Sequence, residues 1–89
     1  MEINMNLQEK SPEVEEVKLE ILEFCKAAQP KENILKHIGI ELRPYNYKKY
    51  ISRLVEDRYL QYTIPHNPRS NVQQYITSKK GLAYLKAVE

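Results

Sequence analysis

The spacing of apolar residues in this 89-residue chain changes from a helical to a strand period after Arg58, and that change constrains the fold more than any other feature. Between Val14 and Arg58, apolar side chains recur at intervals of three and four residues, as on one face of an amphipathic helix. Beyond it, Leu60, Tyr62 and Ile64 alternate with polar residues, which is typical of a half-buried strand. Helical segments followed by strand segments predict an α+β fold.

The first strand segment is predicted to continue into a β-hairpin. Residues 65–71 are rich in proline, asparagine and serine, which favour turns. Val72 and Ile76 then share one face of a second alternating segment. We therefore predict antiparallel strands over residues 60–64 and 72–76, joined by a long polar tip.

Three helices are predicted before the hairpin, over residues 11–28, 31–38 and 44–58. Ser11 is a favourable N-cap for the first helix, because a proline and acidic residues follow it directly. Gly39 stands where a helix commonly ends in the left-handed conformation. A short second helix, a turn and a longer basic third helix have the spacing of a helix-turn-helix.

A fourth helix is predicted after the hairpin, over residues 78–88. Thr77 is its predicted N-cap, and Leu82, Leu85 and Val88 are predicted to face the core. The order of elements therefore predicts a winged helix-turn-helix, with a three-helix core, a two-stranded wing and a C-terminal helix. This domain is expected to occupy residues 11–89.

The first ten residues are expected to form a segment separate from this domain. Met1, Ile3, Met5 and Leu7 alternate with polar residues, so both a strand and an N-terminal tail remain open. A strand here could pair with the open edge of the wing, in its own chain or in a second copy. Exchange between two copies would give a homodimer.

Charge is distributed unevenly along the chain, although the net charge is only +2. Residues 1–42 contain five Lys and nine Glu, a net charge of −4. Residues 43–89 contain nine Lys or Arg and three acidic residues, a net charge of +6. This asymmetry favours a basic contact face carried on an acidic scaffold.

A set of residues at fixed spacing runs through the predicted wing: Thr63, Ile64, Pro65, Pro68, Ser70, Gln73, Tyr75 and Thr77. With this set and its order of elements, the chain resembles the winged-helix domain at the C-termini of Fic-type proteins and of AlbA-containing, helicase-like transcriptional regulators. The resemblance implies a winged helix and a role in transcription regulation. It implies no nucleotidyl transfer or ATPase activity, because the catalytic motifs of the larger proteins are absent from this sequence.

Two positions depart from the pattern of that family. Arg58 stands where the family usually has glycine, which implies either a less sharp exit from the third helix or some backbone strain. Gly81 follows Thr77 by four residues, whereas the family's glycine usually follows by three.

The sequence predicts no catalytic residues, metal ligands, cofactor or small-molecule substrate. Cys25 is the only cysteine and lies on an apolar stripe, so a buried thiol in a reducing, cytoplasmic protein is expected. His37 and His66 lack partners at metal-ligand spacing. No apolar run approaches the ~20 residues of a membrane span, so no membrane contact is expected.

The expected partner is double-stranded DNA, with the third helix in the major groove. The predicted base contacts are Asn46, Lys49, Ser52 and Arg53, and the predicted phosphate contacts of the helix are Tyr45 and Lys48. The predicted contacts of the wing are Asn67, Arg69, Ser70 and Asn71. Tyr45 and Tyr75 are candidates for stacking on bases. The alternative is a protein-interaction or dimerisation module without DNA binding, which the low net charge and the acidic first helix favour.

Overall fold

The computed structural model describes residues 13–89, so the predicted strand or tail at residues 1–10 lies outside the described residues. The elements are helix α1 (Glu13–Phe24), helix α2 (Lys31–His37), helix α3, strand β1 (Leu60–Tyr62), strand β2 (Tyr75–Thr77) and helix α4 (Lys79–Val88). Helix α3 consists of three consecutive pieces: an α-helical start (Pro44–Asn46), a π-helical middle (Tyr47–Ser52) and an α-helical end (Arg53–Glu56). Four helices and a two-stranded sheet confirm the predicted α+β class and are compatible with a winged helix.

The two strands form the predicted antiparallel hairpin, but they are shorter than the sequence suggests. Leu60 pairs with Thr77 and Tyr62 pairs with Tyr75. One further hydrogen bond, from the Thr63 amide to the Gln74 carbonyl at 3.0 Å, extends the ladder. Residues 63, 64 and 72–74 belong to the connection rather than to the strands, so the predicted bounds of both strands are wrong.

The inner face of the second strand is not the face that Val72 and Ile76 share. Tyr75 and Thr77 are buried, whereas Val72 is 67 % exposed. In an antiparallel pair, directly opposed residues point to the same face of the sheet. Because Leu60 is buried in the core and pairs with Thr77, that register places Tyr75 and Thr77 on the inner face.

The core lies between the helices and the inner face of the hairpin. It consists of Ile21, Leu22, Cys25, Ile34, Leu35, Ile51, Leu54, Leu60, Tyr75 and Leu85. Each fully buried aliphatic side chain contributes roughly 1.5–3 kcal/mol relative to an exposed one. The predicted burial of Cys25 is confirmed, and burial raises the pKa of its thiol to about 12.

Helix α1 ends at Phe24, four residues before the predicted end at Ala28. Strand β2 accounts for this difference. The Thr77 hydroxyl donates to the Leu22 carbonyl at 2.7 Å, and the Thr77 amide donates to the Cys25 carbonyl at 2.9 Å. These bonds satisfy carbonyl groups that a helix end leaves unpaired, so β2 stabilises the early end of α1.

After α1 the chain pairs with the outer edge of β2. Gln29 and Tyr75 exchange two backbone hydrogen bonds, of 3.0 and 2.8 Å. The edge of β2 is therefore covered by residue 29, while β1 forms the other edge of the hairpin.

Helix α4 is capped by Ser78, so the prediction of Thr77 as its N-cap is wrong. The Ser78 hydroxyl oxygen accepts a hydrogen bond from the Gly81 amide at 3.1 Å. Gly81 is buried, and a Cβ there would lie 2.5 Å from Thr77 Cγ2 and would also overlap the Tyr59 carbonyl. Glycine at this position lets α4 approach Tyr59, just before β1, and Thr77 of β2 closely.

The inward face of α4 differs in part from the prediction. Leu85 is buried as expected, but Leu82 and Val88 are 44 % and 49 % exposed. The helix instead packs through Gly81, Tyr84 and Leu85, because the close contact at Gly81 sets its rotation.

Helices α2 and α3 end in the same hydrogen-bonding arrangement, the Schellman motif. After α2, Gly39 adopts φ +75°, as predicted, and the Ile40 amide bonds the Leu35 carbonyl at 2.9 Å. After α3, Arg58 adopts φ 68°, and the Tyr59 amide bonds the Leu54 carbonyl at 2.9 Å. The exit from α3 is therefore sharp, and Arg58 holds a conformation that costs an L-residue roughly 1–2 kcal/mol.

Candidate nucleic-acid interface

Helix α3 is one continuous helix whose middle is wider than an α-helix. Asn46, Tyr47 and Arg53, at the joins, all have right-handed helical dihedral angles. The Arg53 amide bonds the Lys48 carbonyl, five residues earlier, as in a π-helix. The sequence predicts an unbroken α-helix here, and a π segment often marks a functional site.

The N-terminal half of α3 exposes an aromatic ring and two cations. Tyr45 is 69 % exposed, and Lys48 and Lys49 are exposed beside it. The Lys49 ammonium lies 5.8 Å from the centroid of the Tyr45 ring and 5.3 Å from that of Tyr50. Both distances are within the ~6 Å over which a ring face attracts a cation, so the two rings bias the position of Lys49.

Arg53 lies one turn further along the same helix. Its Nε is 3.5 Å from Asp57 Oδ2, and the two side chains are 72 % and 49 % exposed. An exposed pair of this kind contributes roughly 0–1 kcal/mol. The guanidinium can therefore turn from Asp57 to an external anion at little cost.

Asn46 has a role in the turn before α3. Its Nδ2 donates to the Glu41 carbonyl at 2.9 Å, which ties the helix start to the preceding residues. This donor is thus engaged within the domain, and a base contact by Asn46 stays a prediction.

The tip of the wing is held by the side chain of Gln73, which is only 8 % exposed. Its Oε1 accepts from the Ile64 amide at 2.9 Å, and its Nε2 donates to the Ile64 carbonyl at 2.7 Å. The same Nε2 donates to the Asn67 carbonyl at 3.1 Å. Gln73 thus takes the place of a neighbouring strand, so the tip has internal hydrogen bonds despite its length. The sequence shows Gln73 only as a member of the wing pattern.

The structure brings one predicted residue of α3 close to three of the wing. Ser52, Arg69, Ser70 and Asn71 line a groove of about 550 Å³. Lys31, at the start of α2, lines the same groove; sequence reasoning missed it because it considered only the third helix and the wing as contact elements.

Two other predicted residues lie at the opposite edge of α3. Lys49 and Arg53 line a second groove, of about 400 Å³, against Lys18 and Glu15 of α1. The ten predicted residues therefore do not form one patch. Four line the groove at the wing, two line the groove at α1, and three lie at the start of α3; Asn67, at the tip of the wing, lines neither groove.

Tyr75 cannot serve as a stacking platform, so that expectation is wrong. Its ring is 3 % exposed, and its hydroxyl lies 3.0 Å from the Tyr47 hydroxyl. Burial and the contact with Tyr47 raise the pKa of Tyr75. Tyr45 remains available for stacking.

Within residues 13–89, no group of three His, Cys, Asp or Glu side chains is placed to hold a metal ion. His37 instead stacks on Phe24, with ring centroids 4.1 Å apart, and its Nε2 lies 3.4 Å from Glu20 Oε1. None of the helices in the described part of the chain is long and apolar enough to cross a membrane.

The fold is similar to part of a known structure. The crystal structure of a Fic family protein from Desulfovibrio desulfuricans G20 matches with a TM-score of 0.63 and 26 % sequence identity. The match covers 73 % of this chain and 20 % of that protein, so this chain corresponds to about a fifth of its relative. No protein-family model matches the chain, and no curated protein matches it.

Proposed function

We propose that this chain is a winged-helix domain that binds double-stranded DNA and acts in transcription regulation. The observation that carries the proposal is the exposed N-terminal half of α3. It presents Tyr45, Lys48 and Lys49 to solvent, and α3 contains no acidic residue before Glu56.

The position of these side chains on α3 supports a place in the major groove. The major groove admits an α-helix, and the first residues of a recognition helix are those that contact base edges. In α3 the cations lie at the start and middle, whereas Glu56 and Asp57 lie at the end. A helix inserted by its N-terminal half would bring its positive part close to the DNA and keep its acidic end away.

The wing supports the proposal independently. It follows α3 directly, as in winged helices, and Gln73 fixes the tip that carries Arg69 and Asn71. The wing pattern from Thr63 to Thr77 and the similarity to part of a Fic family protein agree with the same interpretation.

The test is the salt dependence of duplex binding, measured by fluorescence anisotropy with a labelled mixed-sequence duplex. Each phosphate contact contributes about 0.9 to the slope of log K against log[salt]. The Lys49→Ala/Arg53→Ala variant should bind more weakly and, if both side chains contact phosphates, lower the slope by about 1.8. Lys79→Ala/Lys86→Ala removes the same charge from α4 and should keep the wild-type slope. Equal affinity of wild type and both variants would contradict the proposed interface.

One observation favours a second function, the binding of a protein partner. Leu82 and Val88 of α4 are 44 % and 49 % exposed, and they lie on a helix that lines neither the groove at the wing nor the groove at α1. A partner held there would bind with little dependence on salt. Its binding would be weakened by Leu82→Ser and unaffected by Lys49→Ala/Arg53→Ala.

A further inference from the structure

The groove between α2, α3 and the wing combines two cations with several hydroxyl groups. Its volume is about 550 Å³, within the range of roughly 300–1,000 Å³ typical of small-molecule sites. Lys31 contributes from α2, Ser52 from α3, and Arg69 and Ser70 from the wing. Glu32 is the single carboxylate in the lining. The groove therefore carries a net positive charge.

The two cations are available to a ligand. Among the described residues, no carboxylate lies within ion-pair distance of Lys31 or Arg69, whereas Lys26, Arg43 and Arg53 each have such a partner. The Lys31 ammonium lies 5.4 Å from the centroid of the Tyr47 ring, which lines the groove. That ring holds the ammonium over the groove.

The hydroxyl groups supply neutral hydrogen-bond donors. The Tyr47 hydroxyl lies 3.0 Å from that of Tyr75 and also interacts with that of Tyr62; two of the three phenolic hydrogens can lie between these groups, which leaves the third for a ligand. The Ser70 hydroxyl oxygen accepts from the Val72 amide at 3.2 Å, which leaves its own hydrogen free to donate. Burial raises the pKa of Tyr75 and of Tyr62, so both phenols stay uncharged beside an anion.

The wing side of the groove is fixed before any ligand arrives. The Ser70 amide donates to the Asn67 carbonyl at 3.0 Å, and the Gln73 amide donates to the Ser70 carbonyl at 3.0 Å. The Gln73 side chain ties Asn67 to Ile64 in turn. The backbone that carries Arg69 and Ser70 is thus preorganised, which lowers the ordering cost of binding.

We infer that this groove binds a phosphate ester, with Lys31 and Arg69 neutralising the anion and the Ser52 and Ser70 hydroxyls donating to its oxygens. Arg, Lys and hydroxyl side chains are the usual protein partners of phosphate oxygens. The inference rests on the proposed function in one respect: the ester is a phosphodiester of the bound duplex, beside the major groove that receives α3. It adds Lys31 to the proposed DNA interface, and it makes Ser52 a contact of the DNA sugar-phosphate backbone rather than of a base.

Duplex binding across a salt series tests the role of each cation. The slope of log K against log[salt] is negative. Lys31→Ala and Arg69→Ala should each make it shallower by about 0.9, and the double variant should make it shallower by about 1.8. Lys36→Ala is the matched control, because Lys36 is exposed on the same helix and lies outside the groove. It should keep the wild-type slope.

A second experiment asks whether the groove binds phosphate at all, and whether that phosphate belongs to DNA. Amide chemical shifts of residues 31, 52, 69 and 70 are followed during titration with the duplex and, separately, with inorganic phosphate. Duplex binding with unchanged slopes in both single variants would overturn the inference and leave the proposed function standing. Shifts with inorganic phosphate, lost in the double variant, without any duplex binding would overturn the proposed function and keep the site. No shift with either titrant would overturn both.

Discussion

Replacing Arg58 by glycine is expected to stabilise the protein. Arg58 holds φ 68° at the C′ position of the Schellman motif that ends α3. Glycine adopts this conformation without the steric cost of a Cβ. The Arg58→Gly change keeps every backbone hydrogen bond of the motif and removes only an exposed side chain.

The size of the gain follows from two opposing terms. A non-glycine residue in the left-handed region costs roughly 1–2 kcal/mol. Glycine loses more backbone entropy on folding, which offsets about 0.5–1 kcal/mol of that gain. At the midpoints of these two ranges, the net increase in the free energy of unfolding should be about 0.75 kcal/mol, which raises Tm by roughly 3–6 °C in a domain of this size.

Urea denaturation and thermal unfolding, followed by circular dichroism, measure this gain. Arg58→Ala is the first control, because it removes the same side chain and charge but keeps the Cβ; we expect a change within about 0.5 kcal/mol. Gly39→Ala is the second, since a Cβ there meets nothing within 4 Å and the change isolates the cost of a positive φ. It should destabilise by about 1 kcal/mol. If Arg58→Gly is no more stable than Arg58→Ala, backbone strain at this position does not limit the stability of the domain.

Three further predictions concern buried contacts. Gly81→Ala should destabilise by roughly 1–3 kcal/mol, because the added Cβ would overlap the Tyr59 carbonyl; an exposed Ala83→Gly change on the same helix should cost only about 1 kcal/mol in urea denaturation. Gln73→Ala should cost roughly 1–3 kcal/mol and speed amide hydrogen exchange in residues 64–74, because it leaves backbone groups of the wing unpaired; unaltered exchange would contradict the role given to Gln73. Cys25 should resist alkylation at pH 8 in the folded protein, since its thiol is buried and its pKa is about 12, and should react once urea unfolds the chain; rapid reaction without urea would contradict its burial.

The sequence predicted those features of the secondary structure that depend only on local residue patterns. The change of hydrophobic period after Arg58 predicted the antiparallel hairpin, though not where its strands end, and Gly39 marked the left-handed end of α2. The early end of α1 could not be predicted, because it depends on hydrogen bonds from Thr77, more than fifty residues away in sequence.

The inner face of β2 shows a second limit of pattern analysis. Residues 72–77 alternate in either phase, so Val72 and Ile76 looked as suitable for the core as Tyr75 and Thr77. Only the pairing of Leu60 with Thr77 decides between the two phases, and register is a tertiary property.

For the candidate site, the sequence predicted some of the exposed residues of α3 but missed features that depend on tertiary packing. Tyr45, Lys48 and Lys49, which the sequence predicted as contacts of the third helix, are exposed. The π-helical middle of α3 has no sequence signal that we could identify. Lys31 was missed because its place beside the wing depends on how α2 packs against α3.

DNA binding itself is best tested by titrating the isotope-labelled protein with a mixed-sequence DNA duplex at low salt and following amide chemical shifts. Binding through α3 and the wing predicts shifts concentrated in residues 44–53 and 65–71, with residues 79–88 of α4 unchanged, and a return to the free spectrum as salt is raised. Absence of any shift, or shifts confined to α1 and α4, would contradict DNA binding by this face of the domain.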